Sequence, residues 1–201
     1  MRLEIDSSHP APRKIAQAVD VIRKGGVVCY PTDTVYGLGC DIFQKKAIDR
    51  VYAIKRMPRT KPVAFVCPDL GDIARYAVVD DRSYRLMRRL LPGPYTFILP
   101  ATREVPKVLM MKRKTVGIRV PHHEVALALV RELGHPIVST SASRDDEQLN
   151  DPADIAQAYR KDVDLILDAG WGGLDPSTIV DLTGPEPEVK RQGAGPTEGL
   201  L

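Results

Sequence analysis

The sequence predicts an α/β protein built around one twisted, mixed β-sheet. Helical periodicity and short apolar runs alternate from one end of the chain to the other, the pattern of helices packed on a sheet rather than of separate helical and strand regions. Of the 201 residues 43% are hydrophobic and 27% charged, the balance of a soluble globular chain able to bury one sizeable core. At about 150 residues per domain, one domain over residues 1–201 is expected. The 15 glycines and 17 prolines fall short of a low-complexity share, so they belong to turns and special loops.

Residues 13–24 place Ile15, Ala18, Val19 and Ile22 on one face of a helix, and Gly25-Gly26 stops it. Residues 27–30 are a short apolar run closed by Pro31, a buried strand that delivers the chain into a loop over 32–39. A helix follows over 45–55 with Ala47, Val51 and Ile54 inward, then a basic loop, a strand over 63–67 and helices over 70–76 and 80–91. Residues 95–99 and 115–120 read as strands, the second alternating Val116, Ile118 and Val120. The order continues with a helix over 123–133, a strand over 136–140, a helix over 152–159 and strands over 165–167, 178–182 and 188–191. Residues 143–151 and the glycine-rich tail from Gly193 read as loop-like, mobile segments, and no internal repeat is present.

The 29 basic and 26 acidic side chains leave a net charge of +3, which permits an anionic partner without demanding one. Aromatic residues are 5%, too few for a single-strand binder built on stacking platforms. Cys29, Cys40 and Cys67 form no CxxC pair and lie in or beside apolar runs, as reduced thiols of a cytoplasmic protein would. No apolar stretch approaches 18 residues and the N-terminus lacks a signal-type apolar region, so neither membrane insertion nor secretion is expected.

Both familiar phosphate signatures, GxxxxGK[ST] and a helix-opening GxGxxG, are absent, so any nucleotide site must be built differently. The four histidines include only the adjacent pair His122-His123, which reads as the surface start of a helix; no metal site is expected. The densest cationic feature is Lys55-Arg56-Met57-Pro58-Arg59-Thr60-Lys61-Pro62, bracketed by prolines that break any helix. Such runs are ordinarily solvated, but between a helix and an apolar strand this one also suits a triphosphate, whose oxygens guanidinium and ammonium groups neutralise. A second basic set, Lys107, Lys112, Arg113 and Lys114, reads as a solvated connection or a nucleic-acid footprint. Three hydroxyl-rich loops follow strands: Pro31-Thr32-Asp33-Thr34, Ser139-Thr140-Ser141-Ala142-Ser143 and Pro176-Ser177-Thr178. Their hydroxyls and backbone N–H groups can hold a carboxylate, carbonate or phosphate, or merely form local turns.

In combination and order these segments are recognisable. The chain resembles the YrdC-like threonylcarbamoyl-AMP synthase family, and within it the YciO-type branch. The resemblance rests on Tyr30-Pro31-Thr32-Asp33-Thr34-Val35-Tyr36-Gly37-Leu38-Gly39, on Ile54-Lys55 with Pro58 and Lys61-Pro62, and on Pro92-Gly93-Pro94-Tyr95-Thr96. It continues through Gly117-Ile118-Arg119-Val120-Pro121, Val138-Ser139-Thr140-Ser141-Ala142, Pro176-Ser177-Thr178-Ile179-Val180-Asp181 and Arg191-Gln192-Gly193, reaching from about residue 11 to 195. It implies a YrdC-like domain with a basic concave groove, and a reaction: L-threonine, bicarbonate and ATP, accompanied by Mg2+, give threonylcarbamoyl-AMP and pyrophosphate. Partner proteins of tRNA modification would then pass the group to an adenosine beside the anticodon. It implies that Lys55, Lys61, Ser141 and Arg191 serve ATP, that Thr32, Thr34, Ser139 and Ser177 serve threonine and bicarbonate, and that Arg119 grips the carboxylate or carbamate. Lys55 and Arg119 would be the catalytic pair.

Two departures from the family pattern leave the function open. The usual KxRP reads Lys55-Arg56-Met57-Pro58 here, and an arginine moved by one residue is re-aimed. The usual S/T-x-S-A-N ends in Ser143, followed by Arg144-Asp145-Asp146-Glu147, a carboxylate-rich loop that is adverse beside a triphosphate unless magnesium intervenes. The two readings are a synthase, weak or altered in this branch, and a noncatalytic double-stranded RNA or tRNA binder that uses the same groove.

Overall fold

Pro12 opens the first helix, where its fixed φ and missing N–H suit the first turn. The computed structural model describes residues 1–110, 112, 114–144, 147–198 and 200. Its first half runs β1 (Arg2–Glu4), α1 (Pro12–Arg23), β2 (Val28–Tyr30), β3 (Gly37–Asp41), α2 (Lys45–Ile54), β4 (Ala64–Val66), α3 (Leu70–Tyr76), α4 (Asp81–Leu90) and β5 (Tyr95–Pro100). The second half runs β6 (Thr115–Arg119), α5 (Glu124–Leu133), β7 (Ile137–Ser141), β8 (Ser143–Arg144), β9 (Glu147–Gln148), α6 (Pro152–Ala158), β10 (Leu165–Asp168), β11 (Thr178–Asp181) and β12 (Glu188–Arg191).

Ten strands form one mixed sheet in the order β1-β10-β2-β3-β7-β4-β6-β5-β11-β12, with β8 and β9 paired apart from it. Period-2 alternation sends successive side chains to opposite faces. Val28, Tyr30, Val66, Ile137, Leu165 and Leu167 join the apolar faces of α1 and α5 in one cluster. Cys29, Phe65, Val138 and Ile166 point the other way, into the larger cluster that α2, α3, α4 and α6 cover.

The helices expected from periodicity are present within a residue or two at each end. Two strands of the ten-stranded sheet differ from expectation. β1 pairs with β10 at the sheet edge, although its sequence, Arg-Leu-Glu, carries too short an apolar pattern to announce a strand. Part of the expected 32–39 loop is strand: β3 begins at Gly37 and joins β2 to β7. The Tyr30 ring explains its glycines, because a Cβ on Gly37 or on Gly39 would lie 2.9 Å from that ring. Tyr30 thus crosses β3 and reaches Ser139 on β7 with its hydroxyl, 2.6 Å away.

The two segments expected to be mobile are anchored. Ser143–Arg144 pairs with Glu147–Gln148, and Asp145 and Asp146 lie outside the described residues. At the start of the tail, Gly193–Gly195 lie against residues 176–178, and Gly199 and Leu201 lie outside the described residues: Thr178 Oγ1 donates to Gly195 O at 2.6 Å and accepts from Gly193 N–H at 3.0 Å. A Cβ on Gly193 would come 2.1 Å from Pro176 O, so only glycine permits that approach. Cys29, Cys40 and Cys67 are buried free thiols, and among the described residues no helix is long and apolar enough to cross a membrane.

Candidate active site

Ser139, Ala64, Gly117 and Ile98 are successive in-register neighbours across β7, β4, β6 and β5. Ser139 and Ala64 lie two residues from Ile137 and Val66, so the row belongs to the face that α1 and α5 cover nearer the other edge. Three of the four are small, which leaves the sheet hollow beneath the helices' edge. The hollow is the floor of a cavity of about 460 Å³, walled by Lys55, Arg56, Met57 and Lys61 on one side and by Ser177, Ile179 and Arg191 on the other.

Arg119, at the end of β6, enters this cavity with its guanidinium already held. Nη2 donates to Asp33 Oδ1 at 2.5 Å, to Thr34 Oγ1 at 2.6 Å and to Thr32 Oγ1 at 3.3 Å. Thr32 Oγ1 also accepts from Thr34 N–H at 3.1 Å and donates to Val35 O at 2.7 Å, so the loop is bonded internally before it meets the arginine. Thr32 and Thr34 are buried and do not themselves line the cavity; they stand behind Arg119. All these contacts fall on Nη2, which leaves Nη1 without a partner among the described residues.

The basic run divides in two. Lys55 is the C-cap of α2, and Arg56 follows in the left-handed region at φ 49. Arg56 N–H bonds Ala53 O at 3.0 Å and Met57 N–H bonds Tyr52 O at 3.0 Å, the paired bonds of a Schellman cap, in which the residue after the left-handed one is usually apolar. Met57 fills that place and packs on the larger core. The cap directs Lys55, Arg56 and Lys61 to the cavity, whereas Arg59 turns back onto α2, paired with Asp49 and 4.5 Å over the Tyr52 ring.

Lys55 Nζ donates to the carbonyl of Ser143 and, at 2.7 Å, to Ser143 Oγ, which lies 3.3 Å from Ser141 Oγ. Across the cavity Thr96 Oγ1 and Ser177 Oγ are 2.8 Å apart, and Arg191 donates to Ser177 O through Nη2 at 2.7 Å and Nε at 3.2 Å. Burial, reinforced by the nearby charge of Arg119, lowers the pKa of Arg191 from its ordinary value. Burial likewise pushes the Tyr30 phenol up to about 12, so the group facing Ser139 stays protonated at neutral pH.

Five cationic side chains line the cavity and no carboxylate does so among the described residues, a charge balance that suits an anion. Lys55, Lys61, Arg119, Ser139, Ser141, Ser177 and Arg191 come together there. Lys107, Lys112 and Lys114 are exposed and do not line it, and Arg113 lies outside the described residues. Arg144 folds away from it, onto Ala158 O and, at 3.0 Å, Asp162. His123 does begin α5, but as a half-buried N-cap whose Nδ1 accepts from Val125 N–H at 3.3 Å. Sequence reasoning assigned no role to Asp33; a lone acid between two threonines of a hydroxyl loop was the available signal.

Known proteins are similar to this chain along most of its length. The profile of the Sua5/YciO/YrdC family, described as "Telomere recombination", matches residues 20–193. The chain belongs to the Sua5/YciO/YrdC family. Among its Sua5/YciO/YrdC relatives, YciO of Escherichia coli is 42% identical over 98% of this chain and 97% of its own. The crystal structure of E. coli YciO superposes with a TM-score of 0.95, covering 100% of this chain and 99% of that one. Threonylcarbamoyl-AMP synthase of Chromobacterium violaceum is 39% identical over 86% of this chain and 91% of its own. The structure of P. abyssi Sua5 complexed with L-threonine has a TM-score of 0.90 at 29% identity, over 96% of this chain and 57% of that longer one.

Proposed function

We propose that the chain is an L-threonylcarbamoyladenylate synthase that acts on L-threonine, bicarbonate and ATP for tRNA modification. The observation that carries this reading is the convergence of Lys55, Arg119, Ser141, Ser177 and Arg191 on one cavity with no carboxylate among its described lining residues. Family membership and the synthase relatives support the reaction class. The relative solved with L-threonine supports the amino-acid substrate.

In this reading threonine's carboxylate takes Nη1 of Arg119, whose Nη2 is fixed by Asp33 and Thr34. Threonine's amine and bicarbonate condense to a carbamate with loss of water. A carbamate oxygen then attacks the α-phosphorus, and pyrophosphate leaves as the bond from that phosphorus to the bridging oxygen breaks. Lys55, Lys61 and Arg191 neutralise charge on the phosphates, while the hydroxyls of Ser139, Ser141 and Ser177 orient the reacting oxygens. No group of three or more metal-ligating side chains occurs among the described residues, so magnesium would arrive on the phosphate oxygens of ATP. Catalysis is then positioning plus charge neutralisation, without a covalent intermediate on the protein.

Pyrophosphate release by the purified protein tests this. The expected result is release that requires ATP, threonine and bicarbonate together. Release that is indifferent to threonine would overturn the reading.

The cationic wall also favours a second reading, duplex RNA or tRNA held by its phosphates. That reading requires gel-shift affinity that falls steeply with salt.

A further inference from the structure

Ser143 opens β8, two residues beyond the end of β7, and presents two groups to Lys55, its carbonyl and its hydroxyl. It sits in a pairing of only two residues per strand, too short to fix a carbonyl unaided. Two side chains outside the cavity supply what the pairing lacks. Tyr159, at the C-cap of α6, is 1% exposed and donates its hydroxyl to Ser143 O at 2.7 Å. Arg144 ties the next residue of the hairpin to Ala158 O and Asp162, with its guanidinium 5.5 Å over the Tyr159 ring.

We propose that Tyr159 is a positioning residue for Lys55, acting through the carbonyl of Ser143. That carbonyl has two lone pairs; one receives the Tyr159 hydroxyl and the other the Lys55 ammonium. A flexible four-carbon lysine stem does not by itself hold an ammonium at one point of a cavity wall. A carbonyl clamped from behind by a buried phenol does, and hydrogen bonds in such a chain polarise one another. The chain thereby keeps the phosphate-facing lysine oriented through main chain, at a place where the family pattern has an asparagine side chain.

The inference rests on the reading of Lys55 as a phosphate ligand, and two measurements separate the two. Tyr159→Phe keeps the ring and its contact with Arg144 but removes the donor. By calorimetry it should weaken ATP binding about fivefold, the effect of one lost hydrogen bond, and leave threonine binding unchanged. In a Lys55→Met background the same substitution should change ATP binding no further. Without nucleotide, the acetylation rate of Lys55 by acetic anhydride, followed by mass spectrometry, should rise about threefold in Tyr159→Phe as the carbonyl's hold on its ammonium loosens.

Unchanged Lys55 acetylation overturns the positioning role, as does an equal loss of ATP affinity with Met at position 55. If the parent protein binds no ATP, the nucleotide reading fails while the acetylation rate still decides the relay. Should Tyr159→Phe not fold, Asp162→Asn loosens the same hairpin from its solvent side and must raise Lys55 acetylation likewise; an unchanged rate there also overturns the proposal.

Discussion

Arg119 and Asp33 meet at 2.5 Å, with their side chains only 10% and 11% exposed. A charge so far from water must be paired, and Asp33 pairs it from the loop between β2 and β3 while the guanidinium remains turned to the cavity. The pair therefore serves the site by fixing a donor in advance of any ligand. It also leaves Asp33 Oδ2 and Arg119 Nε buried without partners among the described residues, a local cost that the rest of the fold carries.

Removing the acid strands the cation. Asp33→Ala should destabilise the protein by about 3 kcal/mol, the range for breaking a buried pair on one side. Asp33→Asn should lose less, because its amide oxygen still accepts from Nη2. Urea unfolding midpoints check both, and an unchanged midpoint for Asp33→Ala would mean that solvent already reaches the guanidinium.

The two basic regions should separate functionally. Lys55→Ala should weaken ATP binding by about 1 to 3 kcal/mol, the worth of a charge-assisted contact. Lys112, exposed and outside the cavity, should tolerate the same change with no loss. Calorimetric titration of both variants decides it; equal affinities would return Lys55 to the class of solvated surface charge.

Most of the fold was legible because its helices bury one periodic face each, as Ile15, Ala18, Val19 and Ile22 do. β3 was not legible, since Gly-Leu-Gly-Cys-Asp has poor strand propensity; it is paired on both sides by β2 and β7, and its glycines make room for the Tyr30 ring. The site was legible as a set of residue types in family order. Its internal bonding was not: nothing local says that Thr32 and Thr34 face Arg119, 87 and 85 residues away, instead of the cavity. The basic run shows the same limit. Arg59 and Lys61 look alike in sequence, and the direction of the cap after α2 separates them.

His123 should make stability pH-dependent. Burial lowers its pKa from 6.5 against the opposing pull of Asp33 and Glu124, with Arg119 and His122 adding to the lowering. A folded pKa below the unfolded value means that the unfolded chain binds more protons in the window between them. The contribution is therefore full above about pH 6.5 and is lost as pH falls through the folded value. Protonation also removes the Nδ1 lone pair that caps α5. His123→Asn keeps a capping oxygen without a titrating group, so its melting temperature should fall less than the parent's between about pH 7 and 5. Parallel curves would assign the dependence to other groups.

Arg56 carries a conflict between stability and site. Its φ of 49 costs a residue with a Cβ about 1 kcal/mol or more, and glycine would adopt it without strain. Glycine also gains freedom in the unfolded chain, which offsets part of the relief. Arg56→Gly should therefore raise stability by about 0.5 to 1 kcal/mol in urea unfolding. The same change deletes one cation from the cavity wall and should weaken ATP binding. Higher stability together with lower affinity would mean that a strained arginine is kept for its charge, the usual exchange at a functional site. Higher stability with unchanged affinity would make Arg56 part of the cap alone, and the arginine displaced from the family pattern would then have no successor at the phosphates.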